Sequence, residues 1–454
     1  MTTTSAERPV DPAALIRSPA YRRLLVVAAV IGVLVSLASW GFLELVHVIQ
    51  DWVYTDLPAE LGFATPPLWW PLPIMVVAGV LTAVAVLRLP GHGGHAPYEG
   101  IGGGVTRPID LPGILLAGLA SLGLGLVLGP EGPLIALASG LAVFAVRRVR
   151  KDTPDQAMSV LAASAAFAAL ATVFGSPVVG AVILIEAAGL GGPTLPLVLL
   201  PGLMSAGIGS LVFTGVKGWT GLSNNDYALR PITLPPYSTP TVSEFVWTVV
   251  LSVAVAVIAF GVVRLARASA SLVAKRPWVL IPAAALLVGG LAIVYARITD
   301  QPPDTVLFSG ETAFSSLVSE GPSLPLTTLL VLLACKGVAW ALSMGSFRGG
   351  PTFPALFIGT VMGLLAAHLP GFSETPAVAA LMGAMAVSIL RLPLASVVLA
   401  LLMTGSAGAA TAPIIIVAVV VAYVTIESLP TPPRPDQRQA PPSVEQASAE
   451  RSAP

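Results

Sequence analysis

From Leu24 onward the chain is a succession of apolar runs that polar residues interrupt only at intervals. The first run, Leu24 to Val46, is long enough to cross roughly 30 Å of hydrocarbon. Between residues 21 and 428 roughly a dozen or more such segments follow, many shorter than the ~20 residues that a full span needs. Leu134 to Val146, Pro177 to Leu190 and Pro393 to Met403 are of this short kind, and each opens near a Gly- or Pro-rich turn. None alternates apolar and charged faces as a helix lying on a soluble core would. The pattern predicts an all-α polytopic membrane protein of tilted and broken helices. Half-helices can meet inside a membrane where neighbouring elements satisfy the freed backbone groups.

The main polar interruption, residues 217–244, contains Ser223-Asn224-Asn225-Asp226 and several proline-bearing turns. It reads as a linker between halves at 21–216 and 245–428. The halves look related. In the first, GPEGPLIALASGLAVF (Gly129 to Phe144) precedes FGSPVVGAVILIEAAG; in the second, GGPTFPALFIGTVMGLL (Gly349 to Leu365) precedes LRLPLASVVLALLMTG. Each pair is a Gly/Pro turn opening an apolar helix, then an x-Pro-apolar helix. A repeat of interrupted hydrophobic segments marks transporters built from two halves of inverted topology, with the binding site where the interruptions meet.

Composition agrees. Hydrophobic residues make up 55% of the 454-residue chain and charged residues 10%, against roughly 25% charged in soluble domains. Mean hydropathy is +0.87. The formal net charge of zero argues against nucleic acid as a partner, and the partner implied is the lipid bilayer of a cell membrane. No cleavable signal peptide is evident in the polar segment 1–20, and Arg22-Arg23 before the first run favour a cytoplasmic N-terminus. The cluster Arg147, Arg148, Arg150 and Lys151 reads as a cytoplasmic loop by the same rule. Trp69-Trp70 read as belt aromatics, and the single cysteine, Cys335, as a small core residue. Residues 429–454, rich in Pro, Ser, Gln and charge, read as a disordered polar tail, with no regulatory domain following.

Charge is informative where a membrane makes it costly. Glu131 is the only ionisable residue between Asp110 and Arg147, and intramembrane ionisable residues are functional candidates by default. Gly132 beside it lets backbone approach closely, and Pro133 suits the first turn of a helix. A helix N-terminus offers unsatisfied N–H groups and partial positive charge. A carboxylate there competes with a permeant anion for one site, and protonation or displacement would swing it aside. Glu131 is therefore a candidate gate and a candidate proton carrier.

With these residues assembled, the chain resembles the CLC family of chloride channels and transporters. Gly129-Pro130-Glu131-Gly132-Pro133 is similar to the family's G-[KR]-E-G-P signature, with proline in place of the basic residue. Gly349-Gly350-Pro351-Thr352-Phe353-Pro354 approximates G-x-F-x-P, and Lys336 resembles a lysine common before that motif. Arg391 to Leu394, closing in Met403-Thr404-Gly405, is similar to a further shared segment. The resemblance covers about residues 21–428. It implies a homodimer with one anion path per subunit, no cofactor, chloride or another small anion as substrate, and Glu131 as the gating glutamate. It also implies an anion site built from three stretches: Gly94, His95, Ala96 and Pro97; Gly129, Pro130, Gly132 and Pro133; and Gly350, Pro351, Thr352 and Phe353.

The departures matter. The family's G-S-G-I-P signature is met here by Gly93-Gly94-His95-Ala96-Pro97, with Gly94 where a serine hydroxyl would contact the anion. That leaves backbone donors, with His95 as an extra. Thr352 stands at the usual place of the phenylalanine, and no tyrosine matches the one that closes the inner side of the path, since Tyr423 lies within the last apolar run. Glu186 is the only charge between Asp155 and Lys217. It matches the first glutamate of a pair whose second member accepts protons in the family's exchangers; here that position is Ala187. Glu186 reads first as structural and second as part of a proton path with Glu131. Two mechanisms stay open, gated anion conduction and proton-coupled exchange, the latter for chloride or fluoride. A membrane-embedded enzyme is disfavoured, because no Ser/His/Asp set, HExxH motif or paired acids are present. His92, His95 and Glu99 are too few and too local for a metal site.

Overall fold

A computed structural model describes residues 12–102, 104–189, 195–220 and 229–430. The expectations for the first residues, for 221–228 of the linker and for the tail beyond 430 lie outside the described residues. In the first half the helices are α1 (Pro12–Arg17), α2 (Pro19–Asp51), α3 (Leu57–Glu60), α4 (Pro71–Arg88), α5 (Leu111–Gly123), α6 (Glu131–Val149), α7 (Asp155–Val173), α8 (Pro177–Ala187) and α9 (Leu195–Thr220). The second half contains α10 (Val242–Val273), α11 (Pro277–Thr299), α12 (Phe314–Glu320), α13 (Leu326–Ser346), α14 (Thr352–Ala366), α15 (Glu374–Leu390), α16 (Pro393–Thr404) and α17 (Gly408–Ser428). Among the described residues, nine helical stretches are long and apolar enough to cross a membrane, and shorter apolar helices such as α8 and α14 lie between them.

Local chemistry explains the helix ends. Ser18 caps α2 by accepting from the Tyr21 N–H, with Pro19 at the first helical position, where its missing N–H is not needed. At the head of α10, Thr241 and Glu244 form a reciprocal capping box, which satisfies two orphan donors at once. Both of these last residues had read as linker; α9 runs on to Thr220 and α10 starts at Val242, so helix takes both ends of residues 217–244. The helix read as Pro177 to Leu190 stops at Ala187, and Gly189 follows with φ +59° and its N–H on the Glu186 carbonyl. A left-handed glycine is the usual way to satisfy the last carbonyls.

Burial sorts the helices into centre and rim. All but one residue of α14 is buried, as is most of α15 and α7. By contrast α2 and α10 expose apolar stripes, with Val26, Val30 and Leu34 on one and Val246, Val250 and Val257 on the other. Exposed apolar surface on this scale needs a covering, and a bilayer supplies it. Cys335 is buried as expected. The two tryptophans part company: Trp69 is half exposed, whereas Trp70 is buried and donates its indole N–H to the Val53 carbonyl at 3.0 Å. Trp70 is therefore a core residue rather than a belt aromatic, because a partner for its N–H lies inside the protein.

The halves are joined at their centre. The turns before α6 and α14 meet in a two-residue antiparallel bridge: Gly129 N–H donates to the Gly350 carbonyl at 2.7 Å, and Gly350 N–H to the Gly129 carbonyl at 2.6 Å. This bridge brings the starts of two half-helices face to face.

Candidate anion site at the meeting of two helix starts

Glu131 is the first residue of α6 and is 1% exposed. Its Oε1 accepts the Thr352 N–H, at the start of α14, at 2.7 Å. The Phe353 N–H and its own N–H are directed at the same carboxylate. Two helix N-termini from opposite halves thus converge on one carboxylate, and each adds orphan donors and partial positive charge. The second oxygen, Oε2, makes no well-formed hydrogen bond among the described residues, and the Thr352 hydroxyl lies beside the carboxylate. The space is tight. A Cβ on Gly350 would fall 2.0 Å from Glu131 Oε2 and one on Gly129 2.1 Å from it, so only glycines admit the side chain there. The carboxylate occupies the kind of place a small anion would take, among backbone N–H groups.

Open space lies on both sides. By chain direction α2 runs out from the N-terminal side and α4 runs back, which sets residues 89–110 on the N-terminal side. There a cavity of about 260 Å³ is lined by Gly93, Gly94, His95, Gly132, Pro133 and Arg348, among others. Gly94 sits at φ +93°, a backbone conformation that suits glycine. His95 leans on Glu99 at 3.6 Å, and burial holds its imidazole below the ordinary value against the pull of Glu99. On the opposite face a small cavity of about 30 Å³ is lined by Leu128, Pro130, Glu311, His47 and Gln50, among others. Pro130 borders one cavity and Gly132 the other, which puts Glu131 between them.

The sequence-derived set is therefore brought together in part. Gly94, His95, Gly132 and Pro133 border the wide cavity, and Pro130 the narrow one. Gly129, Gly350 and Thr352 form the seat of the carboxylate, and Pro351 immediately precedes α14. The Phe353 ring is buried and stacks on Phe174 at 5.7 Å, so its backbone alone faces the site. Ala96 and Pro97 are not among the cavity-lining residues; Pro97 is buried at the start of a short 3₁₀ turn. Glu186 lies elsewhere, at the end of α8. Its two oxygens accept the Leu394 and Ala395 N–H groups at 2.9 and 2.8 Å, which caps α16.

Three charged residues gain a place that sequence reading did not give them. Lys336 is fully buried, and its Nζ donates to the carbonyls of Thr305, Val306, Leu307 and Phe308 at 2.9–3.3 Å. It also lies 4.4 Å over the Phe357 ring. Lys336 therefore folds residues 305–308 back against the core and sets Glu311 beside Pro130. Arg348, two residues before Gly350, enters the wide cavity. The signal for Glu311 and Arg348 was only that both flank apolar runs.

An all-helical, multi-pass membrane protein with a carboxylate at crossed half-helix starts defines a class of small-anion carriers. The family model described as "Voltage gated chloride channel" matches residues 92–427, and the chain belongs to that family, the CLC proteins, which transport small anions across membranes. Among curated relatives it is 27% identical over 350 residues to YfeO of Escherichia coli (strain IAI39), an ion-transport protein by name, covering 76% of this chain and 79% of that one. YfeO of Salmonella paratyphi A is 28% identical over 348 residues, covering 74% and 79%. A slow cyanobacterial Cl⁻/H⁺ antiporter of known crystal structure superposes with a TM-score of 0.74 at 20% identity, covering 95% of this chain and 99% of that one. A CLC-type fluoride/proton antiporter superposes with a TM-score of 0.65 at 18% identity, covering 89% and 95%. At these identities the superpositions speak for the fold alone.

Proposed function

We propose that this protein carries chloride or a similarly small anion along a path gated by Glu131. The observation that carries the reading is the Glu131 carboxylate held by the Thr352 N–H between the starts of α6 and α14, because an anion can enter that seat only when the carboxylate leaves it. Gly94, His95, Gly132, Pro133, Gly129, Gly350 and Thr352 are the groups assigned to the anion's route. Assembly as a homodimer is part of the same proposal, and molar mass measured in detergent tests it.

A second reading, proton-coupled exchange, is supported by Glu131 Oε2, which makes no well-formed hydrogen bond among the described residues and where a proton can reside once the carboxylate has been displaced. The similarity in fold to a chloride/proton and a fluoride/proton antiporter makes fluoride the anion to compare with chloride. Weighing against exchange, Ala187 lacks a proton-accepting group and Glu186 is engaged as a helix cap.

Reconstitution in liposomes with an imposed anion gradient, recording anion efflux and internal pH together, separates the two. Efflux without proton movement supports passive conduction, and uphill proton movement supports exchange. Glu131→Gln should make flux insensitive to pH. A pH response that survives this substitution removes Glu131 from the gate.

A further inference from the structure

The wide cavity holds a cation that no carboxylate among the described residues pairs with at close range. Arg348 Nη1 donates to its neighbour's carbonyl, Phe347 O, at 3.1 Å, and Nη2 reaches His92 O at 3.5 Å. Its Nε is buried with no hydrogen-bond partner among the described residues, and no carboxylate pairs with the guanidinium among them. The carboxylates nearby are committed. Asp110, which also lines the cavity, is held by Arg107 through bonds of 2.9 and 3.0 Å. Glu99 is not a lining residue and rests against His95 with its side chain 30% exposed to water. Tyr98 and Glu99 act on Arg348 only as more distant charges or dipoles.

An arginine remains charged in proteins, and a half-buried cation without a counter-charge is costly unless an anion visits it. A guanidinium fork suits planar, two-oxygen acceptors, and an acceptor would reach the buried Nε by displacing the long Nη2 contact to the His92 carbonyl. The position is also telling. Gly129-Pro130-Glu131 has proline beside the glutamate, and Arg348 comes from the other half, one residue before Gly349 in the turn that holds Gly350. Residues of both halves, Gly132 and Gly349, line the same cavity.

We propose that Arg348 is the anion-capture residue of the cytoplasmic-side cavity, holding the transported anion there before it reaches the seat occupied by Glu131, and holding planar oxyanions such as nitrate more tightly than halides. The inference rests on the anion-transport reading given above and adds to it a residue, a side and an order of affinity.

The test uses the full chain in two ways. Titration calorimetry in detergent with sodium nitrate and with sodium chloride measures binding without transport. Arg348→Ala should weaken nitrate by about tenfold, the worth of a charge-assisted hydrogen bond, and chloride by less. Arg348→Lys keeps the charge without the fork, and should restore chloride binding more than nitrate binding. In oriented liposomes, the half-saturating anion concentration on the cytoplasmic side should rise in Arg348→Ala while that on the opposite side changes little. Equal affinities in wild type and Arg348→Ala, or an equal rise on both sides, would overturn the proposal. Thermal melting in detergent controls for folding, and Arg348→Lys remains informative if the alanine variant fails it. If Glu131→Gln leaves the pH response intact while the Arg348 effects appear, the gate reading falls and the capture site stands.

Discussion

The two sides of Glu131 differ in size and in charge. Toward the N-terminal face lies a cavity of about 260 Å³, glycine-lined, with the Arg348 guanidinium in its wall. Toward the other face lies one of about 30 Å³, lined by Pro130, Leu128 and the Glu311 carboxyl. A water needs roughly 10–15 Å³ of such space, so the first cavity has room for an anion with waters while the second has room for very few waters. One approach favours an anion by both volume and charge, whereas the other, as it stands, suits a water or a proton. The Glu131 carboxylate therefore faces two different environments, and if it is the proposed gate its response to each side should differ.

The largest effect on this asymmetry should come from Glu131 itself. Glu131→Ala should join the two spaces and give anion flux with no pH dependence, read as efflux from liposomes between pH 5 and 8. Next comes Gly350→Ala, whose Cβ would lie 2.0 Å from Glu131 Oε2. It should force the carboxylate out of its seat, raise flux at neutral pH and cost about 1–3 kcal/mol of stability, typical of overpacking. Normal pH gating in a folded Gly350→Ala protein would show that the seat described here is not the closed state.

Glu311 sharpens the comparison from the narrow side. Burial, with the negative charge of Glu131 adding and Arg230 opposing, pushes its carboxyl from the ordinary 4.5 up to about 8. The folded protein thus keeps a proton that the unfolded chain releases. The associated stability is present below pH 4.5 and is lost as pH rises through about 8. Melting temperature in detergent should fall over that range in wild type and fall less in Glu311→Gln. His47 on α2 lines the same pocket, so the Glu311→Gln profile is to be compared with that of His47→Gln. Identical profiles for wild type and Glu311→Gln would detach Glu311 from this side of the gate. The smallest effect is expected at Glu186. Loss of its cap on α16 should cost about 1 kcal/mol and leave any proton coupling intact; lost coupling would bring Glu186 back into the path.

These residues also show what the sequence could carry. Glu131 was legible because a lone charge in an apolar stretch has few structural explanations, and its Gly and Pro neighbours announce a helix start. The fold was legible for a similar reason: apolar segments too short to span, arranged twice in the same order, leave few architectures. Arg348 and Glu311 were not legible. Each sits in a turn beside an apolar run, where a charge ordinarily faces water, and only tertiary folding decides otherwise. Lys336 shows the cause for Glu311: one buried ammonium gathers four carbonyls from residues about thirty positions away, and no local periodicity encodes that contact. Likewise Trp70 looked like its neighbour until the Val53 carbonyl appeared beside it.

The bridge between Gly129 and Gly350 has a consequence for how the protein is made. Its partners lie some 220 residues apart in a chain synthesised at roughly 5–20 residues per second, so many seconds separate the emergence of the glutamate from that of its seat. During that interval the chain has only one of the two helix starts that meet at Glu131. Until translation has passed Thr352, the Glu131 carboxylate therefore lacks the second helix start that holds it.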